Sequence, residues 1–140
     1  MFVSAENRQT QEVLAGFFDG TSRNDIPTIA QYLAEEIDFY IAASPYMPWT
    51  GQKSSKQEVI KALRQLMDAH MLAEDDFEME HTFIDGNEAA VFGKAGRTVK
   101  ATGKKFKAHF VMRFTIAEGL ITKFRMLEDS HEIEQAFITD

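Results

Sequence analysis

The sequence predicts an α+β domain in which a cone-shaped, curved antiparallel sheet wraps around N-terminal helices and leaves an internal apolar cavity. Three observations carry this prediction. Residues 102–129 read as one long antiparallel hairpin with clean period-2 alternation, turning at Ala117-Glu118-Gly119. The helical patterns gather in the first half of the chain, and consecutive strand patterns fill the second, the signature of helices segregated to one face of a sheet. Gly93 and Gly96 soften the strand before the hairpin, which allows a bulge or sharp bend.

Residues 4–19 place Val13, Leu14, Phe17 and Phe18 at helical spacing, with Gly20 as a stop. Asn24 or Asp25 can cap a second, short helix with Pro27 in its first turn; Ile29, Tyr32 and Leu33 form its buried face. Residues 36–43 alternate as a strand, with Ile37, Phe39 and Ile41 on one side and Asp38, Tyr40 and Ala42 on the other. Residues 44–54 form a loop with Pro45, Tyr46, Pro48 and Trp49. A loop of that length carrying aromatics reads as a rim or lid.

Ser55-Lys56-Gln57-Glu58 is a capping box and opens a helix that runs to about residue 72. Its stripe of Val59, Ile60, Leu63, Leu66, Met67 and Met71 is core packing. Glu74, Asp75 and Asp76 break that pattern. A strand over 77–84 then meets the turn signal Asp85-Gly86-Asn87 and returns over 88–100. In the hairpin, Phe106, Ala108, Phe110, Met112, Phe114 and Ile116 face one way, and Lys107, His109, Val111, Arg113 and Thr115 the other. Asp129-Ser130-His131-Glu132 can cap a last helix bearing Ile133, Ala136 and Phe137. With no repeat, linker or low-complexity tract, residues 1–140 read as one domain.

Composition narrows the function. The chain of 140 residues is 44% hydrophobic and holds 12 Phe, enough for a real core. A net charge of −7 makes nucleic acid and anionic membranes poor partners. The cluster Lys100, Lys104, Lys105 and Lys107 reads as a solvated hairpin end. No cysteine is present, which rules out disulfides and thiolate chemistry and suits a reducing cytoplasm. No apolar run approaches the roughly 20 residues of a membrane span, and no secretory signal pattern opens the chain. The histidines lack the spacing and carboxylate partners of a metal site, and no nucleotide or cofactor fingerprint occurs. Neither a metal nor a cofactor is therefore expected.

The order of elements, the segment from Gly119 to Asp129 ahead of a terminal helix, and Pro48-Trp49-Thr50-Gly51 leading into a capped helix together resemble the nuclear transport factor two-like superfamily. Within it the chain is similar to the SnoaL-like group of small polyketide cyclases, steroid isomerases and epoxide hydrolases. The resemblance implies the cone fold and a homodimer formed through the outer sheet face. It also allows each family chemistry to be tested at matching positions. Where steroid isomerases place a Tyr and two carboxylic acids, this chain has Phe17, Ile41 and Phe110. Those residues neither donate to an enolate nor move a proton. Where limonene-type epoxide hydrolases place Arg and Asp residues, it has Gly93, Ala95 and Met126. The cyclase-type acid near the end of the last strand has a match in Asp129.

Asp129 is thus a candidate proton shuttle, with helix capping as its structural alternative. His81 shares strand parity with Met79 and Phe83 and is expected to face the core, as an acid/base group or a satisfied core histidine. Expected ligand-binding residues are Phe17, Tyr40, Trp49, Arg97, Phe110, Met126 and Glu128, with Arg97 as an anion anchor. His109 is assigned to the outer face, and His70 and His131 to solvent. Two functions remain open: an acid/base isomerase, cyclase or dehydratase acting on a small apolar or aromatic molecule, or a non-catalytic dimeric module for binding a ligand or a protein.

Overall fold

The computed structural model describes residues 4–139. The elements in order are α1 (Ala5–Ser22), α2 (Ile26–Ala30), β1 (Leu33–Ile41), β2 (Gly51–Ser55), α3 (Lys56–Asp68), a 3-10 turn (Leu72–Glu74), β3 (Asp76–Asp85), β4 (Glu88–Thr98), β5 (Lys105–Ala117), β6 (Leu120–Glu128) and α4 (Ser130–Phe137). The strands form one curved, unclosed sheet in the order β2-β1-β6-β5-β4-β3. The α+β cone expected from the sequence is what forms.

The sheet is mixed rather than wholly antiparallel. β1 lies parallel to β6, with Phe39 opposite Phe124 and Ile41 opposite Met126, while every other neighbouring pair is antiparallel. Hairpins account for β3 to β6, but nothing local indicates which strand β1 joins. β2 arises from the end of the predicted loop, where Gln52 pairs with Tyr40 and Lys53 with Phe39. The rest of that loop is no open lid: Met47 and Trp49 are buried, and Thr50 accepts from the Ser44 N–H at 2.9 Å while its own hydroxyl lies 2.6 Å from the Met47 carbonyl.

Caps and turns follow from residue chemistry. Ser4, Asp25, Ser55 and Asp129 each accept a backbone N–H at the start of a helix. At the β5–β6 turn, Glu118 and Gly119 both adopt positive φ, 53° and 77°, as a two-residue hairpin turn twisted to match its strands requires. The inward row of β5 packs as expected, with Phe106, Ala108, Phe110, Phe114 and Ile116 buried. Phe39 stacks on Phe124 at 4.5 Å, and Phe17 meets Phe114 edge-on at 5.7 Å, so the first helix is seated on the middle of the sheet by aromatic contact.

Two local departures shape the inner face. The first is a bulge in β3, where Met79 pairs with Gly93 but His81 pairs with Phe92. One residue, Glu80, has no partner of its own, so inward and outward positions exchange across it. The cause lies opposite: a Cβ on Gly93 would stand 2.3 Å from the Glu78 carbonyl and 2.6 Å from the Phe110 ring. Only glycine admits that crowding. The second departure is at α3, which ends at Asp68, short of the predicted residue 72. The next residues instead dock on the end of β4, through Met71 N–H to the Thr98 carbonyl at 2.9 Å and Lys100 N–H to the Ala69 carbonyl at 3.0 Å. His70 bridges Val99 there and is buried, not solvent-side as expected.

No helix among the described residues is long and apolar enough to cross a membrane.

Candidate functional site

Between the helices and the concave sheet lies a cavity of about 150 Å³. Its wall is almost wholly apolar, from Phe17 and Phe18 on α1, Phe39 and Ile41 on β1, Trp49, Leu66 and Met67, Phe106 and Phe110, and Phe124 and Met126. Phe77 and Met79 also line it, yet they stand 44% and 52% exposed although they face inward. They mark its mouth, beside edge strand β3.

The ionisable side chains in this wall are Glu128, Arg97 and His70; Thr21 and Asn24 are its other polar residues. Glu128 is the last inward position of β6, following Phe124 and Met126, and stands opposite Phe110 in register. Burial pushes its carboxyl from the ordinary 4.5 up to about 7, against the pull of the Arg97 charge. Among the described residues, no group donates a hydrogen bond to it. Arg97, on β4, has a side chain only 12% exposed. Its guanidinium lies 3.7 Å from an Asp75 oxygen and 4.9 Å from the Phe77 ring centroid. Burial lowers its pKa, while Asp75 and Glu128 oppose that; a guanidinium stays charged at neutral pH even so.

His70 is held from both sides. Its Nδ1 lies 2.7 Å from the Leu66 carbonyl, which only accepts, and 3.3 Å from an Arg97 guanidinium nitrogen, which only donates; the much shorter contact assigns the proton to Nδ1. Nε2 is then a bare acceptor. It is buried and has no partner among the described residues. Trp49, Phe137 and Phe106 present their rings to the imidazole at 5.5, 5.7 and 6.0 Å. Burial depresses its pKa from 6.5 to about 4, the Leu66 hydrogen bond opposes that, and the nearby Arg97 charge adds to it. Asp75 stands behind Arg97, and burial raises its pKa against the Arg97 charge.

The residues expected from sequence sort cleanly. Phe17, Trp49, Arg97, Phe110, Met126 and Glu128 line the cavity, and Ile41 and Ala95 add to its apolar wall. Three expected residues do not line it. His81 is exposed on the outer face, because the β3 bulge reverses its parity relative to Met79. Asp129 lies just past β6; its N–H still reaches the His109 carbonyl at 3.1 Å, but its exposed carboxylate caps α4 through the Glu132 N–H. Tyr40 is on the outer face beneath Arg125, which is committed to a two-pronged pair with Asp38 at 2.7 and 2.9 Å. His70 was the missed residue, although it lies four residues after Leu66 and seven after Leu63, on the same helical stripe. No group of three or more His, Asp or Glu able to hold a metal ion occurs among the described residues.

The profile of the SnoaL-like domain matches residues 14–124. The chain belongs to the SnoaL-like family. Its fold is shared with an NTF2-like protein from Burkholderia thailandensis, at a TM-score of 0.82 and 19% identity over 93% of this chain and 98% of that one. TerC co-crystallized with polyporic acid is similar at a TM-score of 0.81, with 15% identity over 92% and 98% of the two chains. An LEH-like epoxide hydrolase from M. tuberculosis follows at 0.73 and 11% identity, over 94% and 91%. No curated protein matches the sequence. At these identities the likeness establishes the fold, and the SnoaL-like cavity has to be read from its own residues.

The half-buried Glu128 and the buried His70 pull stability in opposite directions with pH. Between 4.5 and about 7 the folded state keeps a proton on Glu128 that the unfolded chain has lost, so this group's contribution falls as pH rises. Between about 4 and 6.5 the unfolded chain protonates His70 while the folded state does not, so that contribution grows as pH rises. Glu128→Gln removes only the first effect. In urea unfolding the variant is expected to gain on wild type as pH rises from about 5 to about 8, by on the order of 3 kcal/mol. A stability difference independent of pH would contradict the burial of an ionising Glu128.

Proposed function

We propose that this SnoaL-like protein is a proton-transfer enzyme for a small, largely apolar ring compound bearing a carbonyl. The observation that carries the proposal is a carboxyl poised near neutral pH inside an apolar cavity that also holds a buried cation. With a pKa of about 7, Glu128 is present as both base and acid under working conditions. As carboxylate it takes a proton from the carbon beside the carbonyl. The C–H pair becomes the new C–C π bond, and the carbonyl π pair moves onto oxygen. Arg97 stabilises that oxyanion in a site where water is largely excluded. Returning the proton to a different carbon gives isomerisation; losing a β-hydroxyl with that proton gives dehydration. His81 and Asp129, both outside the cavity, have no part in this reading.

We also propose that the protein is a homodimer. Its outer face carries an apolar stripe from His81 to Phe92, Val111 and Leu127, each directly opposite the next across four strands. Leu127 is 59% exposed, and the ion pairs Lys107–Glu78 and Arg113–Glu88 flank the stripe. An apolar centre with a polar rim suits a self-complementary twofold contact, as the family resemblance implies.

For the reaction, a panel of single-ring ketones and enones in D₂O is expected to show deuterium uptake beside the carbonyl by NMR, with Glu128→Gln slowing uptake at least about a hundredfold. Uptake at the buffer rate throughout the panel, or an unchanged rate in the variant, would leave a passive binding module as the better account. For the assembly, sedimentation equilibrium is expected to return a dimer for wild type and a monomer for Leu127→Glu. A wild-type monomer would refute the dimer.

A further inference from the structure

His70 is not used by the proton transfer described above, and its environment is specific. The imidazole is 1% exposed, its Nδ1 proton is spent on the Leu66 carbonyl, and its Nε2 lone pair has no partner among the described residues. A buried acceptor left unpaired costs about 1–3 kcal/mol. That cost persists here in a ring enclosed by Trp49, Phe106 and Phe137, at a position lining the cavity. Only a hydrogen-bond donor satisfies such a nitrogen. A carboxylate, an ether or a ketone oxygen does not.

The size of the cavity restricts the donor's body. About 150 Å³ is the scale of a cavity that takes one benzene-sized ring. The rest of the wall is mainly apolar and aromatic, so it offers contact to a ring; the other polar residues in it are Glu128, Arg97, Thr21 and Asn24.

We propose that the SnoaL-like cavity selects a single-ring molecule carrying a neutral hydroxyl, with that O–H donated to His70 Nε2. This assigns His70 as a specificity residue and deepens the proton-transfer reading, whose cavity it shares. The hydroxyl fixes which end of the ring enters first, and the remainder of the ring is left for Glu128 and Arg97.

Phenol and toluene test this, since they differ mainly in O–H against CH₃. In a cavity without an acceptor, phenol gives up its hydration for nothing, and toluene binds more tightly. With His70 accepting, calorimetric titration is expected to show phenol binding as tightly as toluene or up to about tenfold tighter. His70→Phe is expected to reverse the order. Toluene preferred by wild type, benzoate preferred over phenol, or the same order in His70→Phe would each overturn the proposal.

The wild-type protein provides a readout that does not depend on the variant folding. In ¹⁵N NMR of the imidazole, phenol is expected to move the Nε2 resonance toward the protonated range, and toluene is not. An equal response to both, or none to phenol, refutes the contact. Glu128→Gln separates this inference from the catalytic one. If it abolishes deuterium uptake and keeps the phenol preference, both stand; if wild type shows the preference without uptake, only the catalysis fails.

Discussion

The register of β5 against β6 decides which of two adjacent acids lies inside the protein. Phe110 stands opposite Glu128, Met112 opposite Met126 and Phe114 opposite Phe124. Because side chains alternate along a strand, a slip of one residue would turn Glu128 out and bring Asp129 in. The pairing is held by the inward row of β6, since the same slip would turn the buried Phe124 out of the core. Asp129, just beyond the strand, is then free to cap the terminal helix. A hydrophobic constraint thus places a single carboxyl in the cavity, and the cavity gives that carboxyl its chemistry.

The polar end of the cavity works against folding. Glu128, Arg97, Asp75 and His70 all have their charged forms disfavoured by burial. Arg97 moderates the effect on the two acids, yet the same positive charge makes His70 harder to protonate. The outcome is a cation, a neutral imidazole and an acid near its midpoint, gathered in one water-poor space. The core holds that arrangement through the Phe17, Phe114, Phe39 and Phe124 contacts on the apolar side of the cone. Groups arranged at a cost to stability, and left with unsatisfied atoms, are the usual mark of a working site.

Much of this was legible from residue patterns. The alternation of β5, the capped helices and the Gly119 turn define the cone, and six of the nine expected site residues line its cavity. What escaped has identifiable causes. His81 was assigned inward by counting in twos along β3, but the count fails across the bulge, which answers the crowding at Gly93. His70 was assigned to solvent for lying near a helix end, whereas the chain there pairs with the end of β4 and buries it. Tyr40 was expected to bind the ligand, although its parity with Asp38 already placed it outside. The parallel contact of β1 with β6 joins residues about 85 apart in the chain, and no local signal encodes it.

The central claim is that Glu128 is a half-buried acid poised near neutrality. A ¹³C NMR titration of the glutamate carboxyl carbons, with the Glu128 resonance assigned by its loss in Glu128→Gln, reads this directly. The expected midpoint is about 7. A midpoint at the ordinary 4.5 would mean that water reaches the carboxylate freely, and the proton-transfer account would fall with it.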